Sequence, residues 1–363
     1  MMKKRSLSVD IAKGVAILAI VLGHINLSMK SSLVSADDLI YLWHVPVFFI
    51  LGGFFIKEEQ VEQPCFWFKK KFFSLYLKIL YFYVPAVLLH NAFIKIGWYS
   101  LQSTNPVIHS YTTIEYVKEV ALSIFLAGRE PIVGPMWFVY VLFMALIGLS
   151  IVSWFASLIV KDFKKRTWII SIALVTMTII SGILSNKYGL TIRRFSNVFT
   201  AMLLIYIGWL MNRKCRLAFD NAFLAIICAL VSFEMACMLG GVSLNGNSYK
   251  DITQLIVAAP AVLYCIMYLA KKIENTYIGR ALAKCGYESF YIMALHLTAF
   301  KVCTILLQTI GLRGGGYELS QLTPSVGSNM LLLSVYLLFG VGFPILFMFC
   351  FRKARTIIAN IFR

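Results

Sequence analysis

Apolar residues in this chain collect in long stretches, and short polar or basic segments separate one stretch from the next. A run of about 20 apolar residues makes a helix long enough to cross roughly 30 Å of hydrocarbon. The pattern predicts an all-α transmembrane helix bundle of about ten spans, and the even number places both termini in the cytoplasm. The predicted spans are residues 11–28, 39–56, 79–97, 136–160, 167–185, 196–212, 219–241, 252–270, 286–310 and 329–351.

The segment from Glu115 to Ala127 fits this pattern poorly, because it is short and carries charged residues at its start. We predict an interfacial or re-entrant helix here, followed by a turn from Arg129 to Pro135. The longest polar pieces, about 57–78 and 98–114, are too short to fold as a soluble domain. We therefore expect residues 1–363 to form a single membrane domain.

Composition supports a protein whose main solvent is lipid. Of the 363 residues, 60% are hydrophobic and 14% are charged, and the mean hydropathy is +0.80. A soluble domain has about 45–50% apolar and about 25% charged residues. The excess of apolar residues excludes a soluble protein and predicts a multi-pass protein of the cell (plasma or inner) membrane.

The net charge of +18 raises the possibility of a nucleic-acid-binding protein. The basic residues, however, alternate with the apolar stretches and do not gather on one polar domain. Most of them fall in segments that the span order places inside, which is the usual topological bias, so we expect no nucleic acid among the partners. These segments contain Lys3, Lys4, Arg5, Lys69 to Lys71, Lys78, Lys161, Lys164 to Arg166, Arg213, Lys214, Arg216, Lys271, Lys272, Arg280, Lys284, Arg352, Lys353 and Arg355.

The eight cysteines lie in predicted spans or on the predicted inner side. This distribution favours small apolar packing residues over a disulfide framework. The chain has no zinc-ligand spacing, no P-loop and no dinucleotide-binding fingerprint. We expect no metal and no bound cofactor.

The first predicted span contains three ionisable residues, Asp10, Lys13 and His24, and such residues are costly inside a membrane. Because Asp10 and Lys13 interrupt the apolar run, we expect a span and not a signal peptide. Lys13 and His24 are eleven residues apart, which puts them on one helix face about 16 Å apart along the axis. A buried neutral imidazole is suited to act as a general base. A histidine satisfied by a neighbouring helix, with Lys13 reaching to the headgroups, is equally compatible with this spacing.

The second predicted span begins near His44 and contains Pro46 in its first part and Gly52 and Gly53 near its end. Proline cannot donate to the carbonyl four residues earlier, and glycine allows close backbone approach. The pattern predicts a kinked helix with a histidine that can line a cavity. An ordinary packed span is the alternative, because proline and glycine are common in membrane helices.

Other polar residues lie at a similar predicted depth. Ser289 and His296 are seven residues apart in the ninth span and share a face. His90 and Glu234 fall in the outer halves of their spans, whereas His109 lies in a loop. We therefore expect a polar cavity in the outer half of the bundle, although each of these residues could also be structural.

Four motifs together resemble acyltransferase family 3, and they follow the family order over nearly the whole chain. Two departures concern Lys13, where arginine is commoner, and Gly52, where the family pattern has serine. Lysine keeps the charge but loses the bidentate geometry of arginine. The motifs are Arg5-Ser-Leu-Ser-Val-Asp10-Ile-Ala-Lys13-Gly14 with His24, His44-Val-Pro46-Val-Phe48-Phe49-Ile-Leu-Gly52-Gly53-Phe54, Pro135-Met-Trp137-Phe138, and Gly286-Tyr-Glu-Ser289-Phe-Tyr291-Ile-Met-Ala-Leu-His296.

The resemblance implies transfer of an acyl group, usually acetyl, from cytoplasmic acyl-CoA to a hydroxyl of a glycan. The chain is similar to the branch of the family that acts on sugars of cell-surface polysaccharides or lipid-linked glycans and uses acetyl-CoA as a substrate. On this basis His24, with Lys13 and Asp10, is the expected catalytic group. Donor phosphates are expected at Lys13, Lys71 and Lys78. The residues expected to face the acceptor or the oxyanion are His44, His296, Trp137, Glu234 and Ser289.

Two questions stay open at the level of sequence. A polytopic secondary transporter also uses broken helices and intramembrane charges, and an inactive relative of the family would keep the same fold. Within an acyltransferase, His24 could activate the acceptor for direct attack, or it could carry the acyl group as a covalent intermediate.

Overall fold

The computed structural model describes residues 6–27, 36–125, 128–188, 195–314 and 316–361. Within these ranges the chain is almost entirely helical, which confirms the all-α prediction. Lys3, Lys4 and Arg5 lie outside the described residues. The helices are α1 (Leu7–Gly23), α2 (Ala36–Tyr41), α3 (His44–Gly53), α4 (Glu58–Val61), α5 (Pro64–Leu88), α6 (His90–Lys95), α7 (Thr113–Ile124), α8 (Pro131–Ile159), α9 (Phe163–Tyr188), α10 (Phe195–Lys214), α11 (Ala222–Leu239), α12 (Gln254–Ile273), α13 (Tyr277–Tyr287), α14 (Ser289–Thr309), α15 (Gly316–Ser320) and α16 (Met330–Ile361). Two short parallel strands, β1 (Asn26–Leu27) and β2 (Ser325–Gly327), pair with each other.

Eight of these helices are long and apolar enough to cross a membrane, and they correspond to the last eight predicted spans. They are α5, α8, α9, α10, α11, α12, α14 and α16. The first two predicted spans are shorter: α1 has 17 residues, and the second is the broken apolar segment Asp38–Gly53. The chain is therefore a multi-pass membrane protein whose two shortest apolar helices carry His24 and His44.

The third predicted span begins earlier than expected. Helix α5 starts at Pro64 and not near residue 79, so Lys71 and Lys78 lie on a helix and not in an inner loop. Proline suits the first turn of a helix, and lysine is a good helix former whose stem can lie on apolar surface. The Lys71 ammonium lies 4.4 Å from the centre of the Trp67 ring, one turn earlier on the same helix.

The segment predicted to be a short helix near Glu115 is α7. A capping box begins the helix, because the Thr112 hydroxyl accepts from the Glu115 N–H and the Glu115 carboxylate accepts from the Thr112 N–H. The turn predicted up to Pro135 is a 3-10 helix from Pro131 to Met136 that continues directly into the α-helical part of α8.

Helix α1 occupies the centre of the bundle and packs against α3, α12, α13, α14 and α16. Glycines bring its backbone against α13. A Cβ atom at Gly14 would collide with the Leu282 carbonyl, and one at Gly286 would collide with the Asp10 carbonyl. The glycine motif in α13 thus positions the inner half of α1.

A second pair of glycines brings α3 against α10. A Cβ atom at Gly53 would collide with the Ile205 carbonyl, and one at Gly208 would collide with the Ile50 carbonyl. Gly52 is different, because an added Cβ would meet its nearest neighbour, Leu142, at an ordinary distance of 3.6 Å. The absence of serine at this position is therefore not dictated by lack of space for a side chain.

Candidate active site

A cavity of about 280 Å³ lies between the C-terminal end of α1 and the N-terminal end of α3. We call it the histidine cavity, because His24 and His44 both line it together with Trp137. Its remaining polar lining comes from Tyr41 and from the loop that follows α11, and its apolar wall comes from α1, α3, α8 and α14. The apolar lining includes Ile20, Val45, Phe138, Val242 and Met293.

His24 stands at the end of α1. The last helical residue is Gly23, and His24 caps the helix with backbone angles of φ −98° and ψ 9°. Its Nδ1 atom still reaches the Ile20 carbonyl at 2.8 Å, as a residue of the last turn would. The predicted end of the span at residue 28 was therefore too late, and His24 projects from a helix terminus.

His44 is the first residue of α3, which begins immediately after a break at Leu42 and Trp43. The predicted single kinked span is thus two helices. Pro46 explains the break, because it cannot continue the hydrogen bonding of α2 but fits the first turn of α3. The His44 Nδ1 atom lies 2.8 Å from the Ile40 carbonyl, and the Tyr41 ring packs 4.7 Å from the imidazole.

His296 lies behind His24 and is fully buried. The two rings meet edge to face at a centroid distance of 4.9 Å. The Nδ1 atom of His296 is 2.9 Å from the Ile292 carbonyl and 3.1 Å from the Met293 carbonyl. Its Nε2 atom is buried without a hydrogen-bond partner among the described residues.

The hydrogen bonds fix the tautomer of all three histidines. A carbonyl oxygen can only accept, so each neutral ring must carry its hydrogen on Nδ1. His24, His44 and His296 therefore each keep a lone pair on Nε2. Of the two roles expected for His44 and His296, facing the acceptor and facing the oxyanion, the second does not fit neutral rings, because an oxyanion needs a hydrogen-bond donor and these rings accept at Nε2. Each could donate there only after it has gained a proton.

Trp137 begins the α-helical part of α8, directly after the 3-10 helix. A buried network holds the start of this segment: Glu130 accepts from Tyr99 at 2.5 Å and lies 2.8 Å from the His90 Nδ1 atom. The Ile132 N–H in turn donates to the Tyr99 hydroxyl at 3.0 Å. Burial and the Glu130 carboxylate raise the pKa of Tyr99 far above its usual range, so the phenol stays protonated.

His90 thus belongs to a network that positions the Trp137 segment, and it does not line the histidine cavity. Its Nε2 atom lies 3.1 Å from the His109 carbonyl, and its ring stacks on Tyr111 at 3.8 Å. Reasoning from the sequence identified His90 by its depth but missed Glu130 and Tyr99. Neither residue has a sequence signal of its own, because they meet His90 only through the tertiary fold.

Asp10, Lys13 and Ser289 lie toward the other end of α1 from His24. Asp10 is buried in the first turn of α1, and Lys13 is half-buried with its ammonium 4.9 Å from the centre of the Phe55 ring. Ser289 is half-buried and is the first residue of α14, three residues after Gly286, so it lies at this end of the bundle. The structure therefore separates these three residues from the histidine cavity, as the spacing of Lys13 and His24 predicts.

The junction between α13 and α14 is held by an ion pair at this same end. The buried Glu288 carboxylate accepts two hydrogen bonds of 2.7 Å from Arg352 of α16 and lies 3.3 Å from the Lys284 ammonium. Burial opposes ionisation of Glu288, but the bonds from Arg352 and Lys284 outweigh it and lower the pKa of the carboxyl.

Glu234 is not among the residues that line the histidine cavity. Its side chain is exposed on α11, whose buried residues include Ser232 and Ala236. Two residues along a helix correspond to about 200° of rotation, so Glu234 lies opposite the packed face. The expectation that Glu234 faces the cavity was therefore wrong about the helical face. Lys78 is also exposed, and Lys71 is half-buried against Trp67.

The loop after α11 contributes wall residues that the sequence did not reveal, namely Val242, Ser243, Leu244 and Asn245. Their only signal in the sequence is the Gly240-Gly241 pair before them. Among the described residues, no group of three or more histidine, cysteine, aspartate or glutamate side chains has a geometry suited to a metal ion.

Comparison with known protein families gives a match to a family model described as an acyltransferase domain, which covers residues 6–351. The match extends over nearly the whole chain and includes α1, α3, α8 and α14. No curated protein and no solved structure is similar enough to the chain to count as a match.

Proposed function

The chain belongs to acyltransferase family 3, and from this premise we propose that it transfers an acyl group from cytoplasmic acyl-CoA to a hydroxyl of a cell-surface or lipid-linked glycan. Acetyl is the proposed acyl group, and the plasma or inner membrane is the proposed location. One observation carries the proposal most directly. His24 presents an Nε2 lone pair to a cavity at one end of the central helix, and Lys13 lies toward the other end.

The composition of the histidine cavity supports a sugar as the acceptor. Imidazole, indole, hydroxyl and amide groups line one part of it, and Ile20, Val45 and Phe138 line another. A sugar ring has hydroxyls around its edge and apolar C–H groups on its faces, so it can use both kinds of wall. The volume of about 280 Å³ is near the lower end of the range for small-molecule sites, about 300 Å³.

In the proposed reaction the His24 Nε2 atom accepts the proton of the acceptor hydroxyl while the hydroxyl oxygen attacks the thioester carbonyl. A carbon–oxygen bond forms, the carbon–sulfur bond breaks, and the departing CoA sulfur takes the proton from His24. The His44 Nε2 atom accepts a hydrogen bond from a sugar hydroxyl, whereas the His296 Nε2 atom, buried behind His24 and outside the lining of the cavity, accepts one only from a protonated neighbour. The Trp137 indole N–H is a donor suited to the developing oxyanion.

The donor approaches from the end of the bundle that carries Lys13. Lysine binds phosphate as a point charge, so Lys13, with Lys71 and Lys78 of α5, supplies the proposed contacts to the phosphates of CoA. The thioester then has to extend along α1 by about 16 Å to reach His24. The flexible pantetheine arm of CoA is suited to such a narrow path.

Direct transfer is the proposed route. A neutral imidazole with its lone pair on Nε2 needs only to accept and return one proton, and His24 already has this form. The covalent alternative would place the acyl group on the same Nε2 atom and release CoA before the acceptor binds.

Incubation of purified protein with radiolabelled acetyl-CoA tests the proposal. With a glycan acceptor we expect CoA release and label in alkali-labile esters of the glycan. A strain that lacks the protein should lose the same ester from its surface glycan. Transport of a solute without CoA release would support a secondary transporter instead. Without acceptor, stoichiometric label on His24 together with CoA release would overturn the direct route.

A further inference from the structure

A second cleft, of about 380 Å³, adjoins the histidine cavity. We call it the outer cleft, and Asn26, Asp38 and Tyr41 are among the residues that line it. Three residues, Tyr41, Val242 and Ser243, line both spaces. The two spaces are therefore direct neighbours.

Hydrogen bonds build the wall of the outer cleft on the side of α2 and the loop after α11. The Gly241 N–H donates to the Asp38 carboxylate at 3.0 Å, and the Gln254 amide donates to the Gly240 carbonyl at 2.9 Å. A Cβ atom at Gly241 would lie only 3.0 Å from the Tyr41 Cβ atom. This wall therefore depends on glycine and on a fixed carboxylate.

Further hydrogen bonds hold the residues of the cleft that belong to α1 and β1. The Tyr41 hydroxyl donates to the Gly23 carbonyl at 3.0 Å, which ties α2 to the end of α1. Asn26 belongs to β1, and its backbone N–H donates to the Pro324 carbonyl at 2.9 Å. The shape of the cleft is thus set by the protein itself.

The lining has the chemistry of a site for hydroxyl groups. Asn26, Asp38 and Ser243 offer an amide, a carboxylate and a hydroxyl, and the Tyr41 ring offers a flat apolar surface. Among the described residues that line the outer cleft, Asp38 has the only side chain with a formal charge at neutral pH.

We propose that the outer cleft is a second acceptor subsite, which binds the sugar unit next to the unit that is acylated. This inference rests on the proposed transfer to a glycan and adds to it a minimum acceptor length. Tyr41 then contacts both units, since it separates the two spaces.

The test uses ester-free surface glycan from the deletion strain, cut into fragments of one, two and three sugar units. Purified protein is assayed for acetyl-CoA-dependent acylation of each fragment. We expect the KM for the two-unit fragment to be at least about tenfold lower than for the one-unit fragment, which is the gain of one or two good hydrogen bonds. In Asp38→Asn the side-chain oxygen can still accept the hydrogen bond from the Gly241 N–H, but the negative charge is lost.

For Asp38→Asn we expect the KM of the two-unit fragment to rise about threefold to tenfold, because hydrogen bonds to charged groups are stronger than neutral ones. The KM of the one-unit fragment should not change. Asp251→Asn is the matched control, since Asp251 is exposed at the other end of the same loop region and does not line the cleft. Asn26→Ala provides a second variant in case Asp38→Asn fails to fold.

The outcomes separate this inference from the proposed function. If the deletion strain loses no ester and no CoA is released, the proposed function itself fails. If the ester is lost but one-unit and two-unit fragments have equal KM values, the subsite is wrong while acyl transfer stands.

Discussion

Replacement of His24 by alanine should abolish acyl transfer and leave the protein folded. The ring supplies the Nε2 lone pair at the histidine cavity, and loss of a general base commonly lowers a rate by about 10²–10⁴. That range corresponds to about 3–5 kcal/mol in activation free energy. Within the part of the chain that the structure describes, the side chain makes one hydrogen bond, to the Ile20 carbonyl at the end of α1, and it borders a cavity. We therefore expect its removal to cost only about 1 kcal/mol in the free energy of unfolding.

The assay is the initial rate of CoA release in the presence of acceptor, with thermal unfolding of the same samples in detergent. His109→Ala is the matched control, because His109 is exposed and its Nε2 atom pairs with Glu115 at 2.9 Å, outside the cavity. The space left by His24→Ala adjoins the cavity, so added imidazole should restore part of the activity. A His24→Ala protein that expresses normally and turns over within about threefold of the wild-type rate would refute the assignment, as that loss is far below the effect of a missing base.

Three further predictions concern residues at some distance from His24. Lys13→Gln should raise the KM for acyl-CoA about tenfold or more, while Lys13→Arg stays near the wild-type value. Lys118→Gln, on the exposed face of α7, is the control. An unchanged donor KM in Lys13→Gln would remove this residue from the donor site. Tyr99→Phe should lower kcat about tenfold without a matching change in the donor KM. It removes the hydrogen bond to Glu130 and the hydroxyl that accepts from the Ile132 N–H, so the Trp137 segment is displaced. Glu234→Gln should keep wild-type kinetics, and a large loss of activity would show that α11 contributes its exposed face to the reaction.

The all-α class, eight of the ten predicted spans and the separation of Lys13 from His24 could be predicted because they depend on local properties of the sequence. Span length follows from hydrophobic runs, and the separation of Lys13 from His24 follows from the rise per residue of a helix. The face of a helix that meets a neighbour depends on tertiary packing. Glu234 illustrates the limit, because a rotation of about 200° from Ser232 moves it from the packed face to the exposed one.

The tautomers of the histidines could not be predicted either. Each depends on whether a carbonyl three or four residues earlier is within reach of Nδ1, and this depends on how the helix begins or ends. His24 caps α1, His44 opens α3, and His296 lies inside α14, yet all three make the same type of bond. Because the lone pairs lie on Nε2, neutral His44 and His296 can accept hydrogen bonds at this atom but cannot donate them.

The lengths of the two helices that carry His24 and His44 bear on how a donor and an acceptor from opposite sides can meet. Helix α1 has 17 residues and is about 25 Å long, whereas the hydrocarbon core is roughly 30 Å thick. Helix α3 has only 10 residues and is about 15 Å long. The C-terminal end of α1 and the N-terminal end of α3 both border the histidine cavity. In the proposed reaction, an acceptor hydroxyl has to reach only the end of this short helix, and the acyl group, carried by a flexible arm, covers the remaining distance along α1. Neither substrate then has to cross the whole membrane.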